Sequence, residues 1–274
     1  PGSSVIDLAT GNGALALIAA EFSQENNAAF AITAIDYADI DPNNLVLTHR
    51  DPKIVGAIDF LSQVSMEDTG LEDNTFDCAI SQFGFEYGDP ERSVQEVSRI
   101  LKSSARLGLM LHREGSVLYD QAKSGAEQVS VSLKSSLHDS LKELLRLLDK
   151  LRLRGKDPAK NEKAERLREE INELTNDLHE AMGGYTDPAQ LGFFLENSMA
   201  IFRPEFSSKT LVEKCAMLDE IREESAAYQL RMQDLMSSVL SAEQIDGLEQ
   251  LLQKQGFVVK RSEMVRFEGH VFCH

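Results

Sequence analysis

The sequence predicts an α/β fold, a mostly parallel sheet with crossover helices, interrupted by a long helical stretch. Three observations carry this. Up to about residue 115, short apolar runs alternate with helical periodicity at βαβ spacing. From about 116 to 240 no convincing strand is present, and leucines recur at helical steps. The chain then returns to a helix followed by strand-like runs.

The first elements are "SVIDLA" and "FAITAID" (30–36), with a helix from about Ala14 to Phe22 between them. "FDCAISQFG" (76–84) and "ARLGLMLH" (105–112) are further strands. Before the last of these, "PERSVQEVSRIL" places Pro90 at a first helical position and Val94, Val97, Ile100 and Leu101 on one stripe. In the middle, Leu137, Leu141, Leu144, Leu148 and Leu151 precede a break at "GKDP", and Leu167, Ile171, Leu174 and Leu178 follow it. This reads as an antiparallel helical hairpin over 133–182. Asp187 and Pro188 start another helix that ends before Pro204, and a longer one runs from about Ser208 to Leu240. The apolar positions of the longer helix, Met217, Met232 and Met236 among them, predict burial on more than one side. Ser241 with Gln244 forms a capping-box pattern for a last helix closed by Gly256, and "FVVKRSEMVRFEGHVFCH" reads as two strands. The expected division is therefore 1–115 with 241–274 as a sheet domain and 116–240 as a helical cap or substrate domain.

Composition narrows the function classes. With 274 residues and 42% hydrophobic content the chain can bury a full core. A net charge of −17 without a basic stripe argues against a nucleic-acid partner, because backbone binding needs clustered Lys and Arg. Cys78, Cys215 and Cys273 are widely spaced with no CxxC pair, so no disulfide framework or metal site is expected and a cytoplasmic location fits. No apolar run reaches the length of a membrane span, and no signal segment is present. A strand starting a few residues after Pro1 suggests that a preceding segment belongs to the protein.

The stretch "VIDLATGNGALAL" carries the chemistry. Gly11, Gly13 and Ala16 match the GxGxxA dinucleotide pattern, and Asp36, 23 residues after Gly13, ends the second strand where a carboxylate accepts ribose hydroxyls. Asp7 distinguishes between ligands. A carboxylate at the first strand end repels a pyrophosphate and favours an ammonium group, which disfavours a nicotinamide dehydrogenase and points to adenosine joined to an amino acid.

On these residues the chain resembles the class I (Rossmann-like) S-adenosylmethionine-dependent methyltransferases, nearest the ubiquinone/menaquinone methyltransferase-like branch. "DLATGNG" matches the first motif, with Ala9 in place of a glycine, a substitution tolerable where positive φ is not needed. The resemblance assigns the ribose to Asp36 and places Tyr37 against adenine. "SMEDTGLEDNTFD" matches the adenine-contacting segment, with Ser65 where the family has an acid, so that Ser65, the Met66 backbone, or the Glu67 or Asp68 side chain takes that contact. Gln82, at the end of the strand that follows, joins the cofactor-binding candidates. "SRILKSSARLGLML" is similar to the turn and fifth strand of the family. The resemblance covers about 1–115 and 241–274 and implies a mostly parallel seven-stranded sheet, with the helical stretch inserted between strands 5 and 6.

The activity it implies is methyl transfer from S-adenosylmethionine to a small-molecule acceptor, with the helical stretch as a lid. Glu86 and Tyr87, in "SQFGFEYG", and His112, ending the fifth strand, are the catalytic candidates; the alternative for Glu86 and Tyr87 is packing under the helical stretch, and for His112 a hydrogen-bonded structural role. The leucine stripe reads first as helix–helix core and second as a homodimer or partner surface. The alternative reading is a methyltransferase-fold protein without catalysis that binds a partner through its helices.

Overall fold

The computed structural model describes residues 2–40 and 51–274. The chain divides into two compact units, Pro1–Tyr119 with Ser238–His274, and Asp120–Ser237.

In the first unit, β1 (Ser4–Leu8), β2 (Ala31–Asp36), β3 (Ile58–Ser62), β4 (Phe76–Gln82) and β5 (Leu101–Met110) form one sheet in the order β3-β2-β1-β4-β5. Every pairing in it is parallel. The crossovers include α1 (Ala14–Glu25), α2 (Pro52–Val55) and α3 (Pro90–Ile100). A parallel sheet must be covered on both faces, and the alternation along β1 shows how. Ile6 and Leu8 join a cluster with Val97 and Ile100 of α3, while Val5 joins Ala16, Leu17 and Ala20 of α1. Asp89 starts α3 by accepting a hydrogen bond from the Arg92 N–H at 2.9 Å, with Pro90 next to it.

Three expectations are corrected in this unit. The main sheet has five strands among the described residues rather than seven. The last two strands, β6 (Val265–Phe267) and β7 (His270–Cys273), pair with each other in a separate antiparallel sheet. Among the described residues a backbone exchange, the Leu111 N–H to the His274 carbonyl at 2.7 Å and the His274 N–H to the Leu111 carbonyl at 3.1 Å, joins the last residue to the one that follows β5. The physical reason lies in residues 257–264, where "VVKRSE" offers no face that can stay dry and Val258 is exposed. Second, β3, which the sequence reading does not mark, is an edge strand bonded to β2 alone. Third, no turn separates α3 from β5. Leu101 is both the helix cap and the partner of Phe76, and the next register pair is Cys78 with Arg106, so residues 102–105 bulge out of the ladder. The Lys102 ammonium in that bulge donates to Asp77 Oδ2 at 2.8 Å.

A last helix, α9 (Ala242–Lys254), has the foreseen capping box: Ser241 Oγ accepts from the Gln244 N–H and the Gln244 side chain accepts from the Ser241 N–H. In labelling order it follows five helices that lie between β5 and β6. The first of these, α4 (Val117–Lys134), begins in the sheet unit; α5 (Leu137–Leu153), α6 (Glu162–Met182), α7 (Ala189–Ala200) and α8 (Leu211–Ser238) belong to the helical unit.

The helical unit has its own core. Leu137, Leu141, Leu144 and Leu151 of α5 meet Leu167, Ile171 and Leu178 of α6, closed by Leu191 and Phe194 of α7 and Leu218 of α8. The leucine stripe is thus helix–helix core. Buried Gln128 of α4 caps α7, its Oε1 accepting from the Gln190 and Leu191 N–H groups at 3.1 and 3.3 Å. His138 is buried as well: its Nε2 lies 2.6 Å from Ser198 Oγ, which donates to the Phe194 carbonyl at 2.5 Å, and its ring stacks on Phe194. Burial pushes its pKa down to about 4, keeping the ring neutral in this core. The expectation for the longest helix is overturned, since in α8 only Leu218 and Ser225 are buried while Val212 and Leu230 are exposed. Its apolar residues are spread around the axis and make no single stripe.

Candidate functional site

In an open parallel sheet, ligand-binding loops gather at the carboxyl ends of the strands. The sequence-selected residues of this chain lie on the last residues of the strands and in the segments that follow them.

The loop between β1 and α1 is a tight turn built on a buried acid. Asp7 is 1% exposed, and its Oδ2 accepts from Thr10 Oγ1 at 2.5 Å and from the Ala16 N–H at 3.1 Å. The carboxylate thereby fixes the turn and satisfies a free N–H in the first turn of α1. Burial pushes its pKa up to about 6, opposed by those two hydrogen bonds and reinforced by the negative charge of Asp36. Gly13 caps α1 at φ +77°, and a Cβ there would meet the Phe60 ring at 2.9 Å. At Gly11, φ is +54° and a Cβ would meet nothing within 4 Å, so the loop faces open space at that point.

Ala9 is a correction. Its φ is +53°, so the condition under which alanine is freely tolerated here, no need for positive φ, is not met. The alanine methyl fits there because Gly84 faces it: a Cβ on Gly84 would lie 2.5 Å from Ala9 Cβ. Glycine at the end of β4 is the sequence signal for such a close approach, and the sequence reading did not use it.

Asp36 ties the first two loops together. Its Oδ2 accepts from the Gly11 N–H at 2.7 Å and its Oδ1 from the Ala38 N–H at 2.8 Å. Each carboxylate oxygen has a second lone pair, so both keep acceptor capacity toward a ligand. Tyr37 is 80% exposed beside it. The loop after β3 runs alongside, with the Val64 N–H donating to the Asp36 carbonyl at 2.9 Å.

That third loop departs from expectation. Ser65 Oγ accepts from the Glu67 N–H at 3.2 Å and turns the loop. The Met66 side chain packs against the sheet core. The Glu67 carboxylate is engaged at the start of α3, accepting from the Asp89 N–H at 2.8 Å and pairing with Arg92 at 2.7 Å. Its two oxygens therefore brace the next loop, and Asp68, exposed, is the acid of this segment that is not drawn away.

At the far end of the edge lies an arrangement that the sequence named only in pieces. Gln82, the last residue of β4, is exposed, and Phe83 follows at φ +58°. Two side-chain-bearing residues in left-handed backbone, Ala9 and Phe83, at adjacent strand ends mark the kind of strain that concentrates at working sites. The Phe83 ring stacks on the His112 imidazole with centroids 4.3 Å apart, and Phe272 meets Phe83 edge-on. Glu86 and His112 come together: Glu86 Oε1 accepts from the His112 backbone N–H at 2.8 Å and lies 2.7 Å from the ring Nδ1. Glu86 Oε2 is buried with no hydrogen-bond partner among the described residues. Tyr87 stays half exposed.

Among the described residues no group of His, Cys, Asp and Glu is placed to hold a metal ion, and no helix is long and apolar enough to cross a membrane.

No curated protein sequence matches the chain. Among solved structures it is similar to the 4+2 cyclase SpnF, at 25% identity over 40% of this chain and 39% of that one, with a TM-score of 0.35. It is also similar to geranyl diphosphate C-methyltransferase from Streptomyces coelicolor A3(2), whose structure holds Mg2+, geranyl diphosphate and S-adenosyl-L-homocysteine, at 16% identity over 41% and 40% of the two chains and a TM-score of 0.35. A third is a SAM-dependent methyltransferase from Aquifex aeolicus, at 22% identity over 41% and 57% and a TM-score of 0.34. The chain thus spans 39% to 57% of the length of these three. Residues 6–109, from β1 to near the end of β5, match the family model described as the methyltransferase domain.

Proposed function

We propose that this protein binds S-adenosylmethionine at the carboxyl ends of β1 and β2 and transfers its methyl group to a small-molecule acceptor. The observation that carries this is the pairing of a buried acid beneath the first loop with Asp36 beside it, inside the segment that matches the methyltransferase domain.

The donor set fits the cofactor. The negative charge of Asp36 adds to the cost of ionising buried Asp7, so a cationic amino-acid end placed near Asp7 relieves it. Asp36 offers two oxygens to a ribose diol, Gly11 leaves open space above the loop, and exposed Tyr37 supplies an apolar ring beside it for adenine. Ser65, Met66 and Gln82 border the same edge, Met66 through its backbone. Glu67 serves this site by bracing the α3 loop rather than by direct contact. The cofactor supplies an activated methyl group on a sulfonium leaving group. The chain's own task is to hold the acceptor in line and exclude water, and alignment alone accounts for a large share of such rates.

Calorimetric titration with S-adenosylmethionine tests the reading on the wild type and Asp36→Ala. Micromolar binding weakened about tenfold or more, roughly 1.4 kcal/mol, is the expected result. A folded wild type that binds neither S-adenosylmethionine nor its demethylated product would shift the reading to a partner-binding protein of the same fold.

A further inference from the structure

We infer that a charged stripe on α3, formed by Arg92, Glu96 and Arg99, is a positioning device for the cofactor's base: it grips one side of the loop after β3 and thereby sets how selectively the other side takes adenine. The inference rests on the S-adenosylmethionine reading above and deepens it.

Loop and helix are matched by their periods. Arg92, Glu96 and Arg99 stand at i, i+4 and i+7 and share one face of α3. They meet the loop at every second residue. The Glu67 carboxylate pairs with Arg92 at 2.7 Å. Glu96 Oε1 accepts from the Thr69 N–H at 2.8 Å and from Thr69 Oγ1 at 2.6 Å. Arg99 Nη1 donates to the Leu71 carbonyl at 2.8 Å and to the Asp73 carboxylate. Burial follows the same alternation: Thr69 is buried, Glu67 and Leu71 are half-buried, and Asp68, Gly70 and Glu72 are exposed.

The grip is rigid. Glu96 is 8% exposed, and Arg99 adds two bonds to it, from Nε at 2.8 Å and Nη2 at 2.6 Å, so its two oxygens accept from four donors. The bonds from Arg99, and after them those from Thr69, hold its pKa down to about 2 and keep it ionised at neutral pH. A loop that had only to be tied down would be served by apolar packing; a saturated buried carboxylate fixes direction as well as place. What it fixes is the head of the loop. Ser65 Oγ accepts from the Glu67 N–H at 3.2 Å and the Ser65 carbonyl from the Asp68 N–H at 3.3 Å, which closes 65–68 into a turn directly before Thr69. The amino edge of adenine donates hydrogen bonds, and this turn offers it acceptors on the exposed side, the Asp68 carboxylate among them. Glu96 and Arg99 touch the loop and not the base, so they act as positioning residues.

Calorimetry with S-adenosylhomocysteine and with S-inosylhomocysteine, which carries a carbonyl oxygen where adenine has its amino group, reads this positioning. The ratio of the two dissociation constants is independent of how much of a sample is folded. The wild type should prefer the adenosyl compound by about tenfold or more. In Glu96→Gln and Arg99→Ala the preference should fall below about threefold, with Arg99→Lys, which keeps the charge and loses the fork, in between. Thr69→Val removes the Oγ1 bond and leaves α3 intact; it should lower the preference as well, and it carries the test where a variant of the buried pair fails to fold. Variants that unfold at lower urea yet keep the wild-type preference would make the stripe a structural tie and sink the proposal. A wild type that binds both compounds equally also overturns it, while the cofactor reading stands; a folded wild type that binds neither refutes that underlying reading.

Discussion

Asp7 shows how much of a site one side chain can decide. From sequence it was an acid at a strand end, and its sign of charge selected the ligand class. The structure adds that it is buried under its own turn, bonded to Thr10 and to the start of α1, with its pKa raised to about 6. The sign of the consequence follows. A raised carboxyl pKa means that the proton is taken up below about pH 6, and with it goes the negative charge that favours a cationic ligand. Affinity for S-adenosylmethionine should therefore hold from pH 8 to 7 and weaken by up to tenfold for each unit below about 6. Titrations across that range check it, and Asp7→Asn should remove the pH dependence together with most of the affinity. Glu67 illustrates the limit of residue-level reading. The resemblance offered it as one candidate for the adenine contact, and in the structure Arg92 and the Asp89 N–H draw it to the neighbouring loop, a competition visible only once α3 is in place.

At the scale of elements, the turn between β1 and α1 was legible because glycine spacing is local chemistry, while its strain was not. Ala9 occupies left-handed backbone, costing roughly 1 kcal/mol that glycine would avoid. Against the entropy glycine adds to the unfolded chain, Ala9→Gly should leave stability unchanged or raise it by up to about 1 kcal/mol. Gly13→Ala should do the opposite, losing about 1–3 kcal/mol, because both its φ and the Phe60 ring oppose a Cβ. Urea denaturation of the two variants gives the comparison, and in a Phe60→Leu background part of the Gly13→Ala loss should disappear. The capping box of α9 was read correctly because it is a four-residue signal. β3 was missed because it is a short segment whose partner, β2, is distant in sequence. The C-terminal strands were misplaced because they pair locally with each other, and charge at Lys260, Arg261 and Glu263 just before them leaves that segment without a burial preference that would draw it onto the main sheet.

At the scale of the whole molecule, the two units have separate cores, and the sheet unit is assembled from both ends of the chain. The ends of its two pieces meet within it. The Leu240 N–H donates to the His112 carbonyl at 3.1 Å and the Glu114 N–H to the Leu240 carbonyl at 3.0 Å. A chain in which a short Gly/Ser linker replaces residues 120–237 should therefore fold and bind S-adenosylmethionine within about threefold of wild type, measured by calorimetry and circular dichroism. Loss of binding by a folded version would place part of the cofactor site in the helical unit.

The sequence by itself determined what depends on neighbours along the chain: the period of each helix, the glycine turn after β1, the caps of α3 and α9, and the acids at the ends of β1 and β2. These are set by local sterics and by charge, which a few residues suffice to express. Only the tertiary structure decided the pairings between distant segments: that Gly84 meets Ala9, that Glu67 serves α3, that the last strands leave the main sheet, and that Glu86, 26 residues before His112, shares an oxygen between its ring and its backbone. Such contacts depend on how strands order in a sheet, and strand order carries no signature within any single segment.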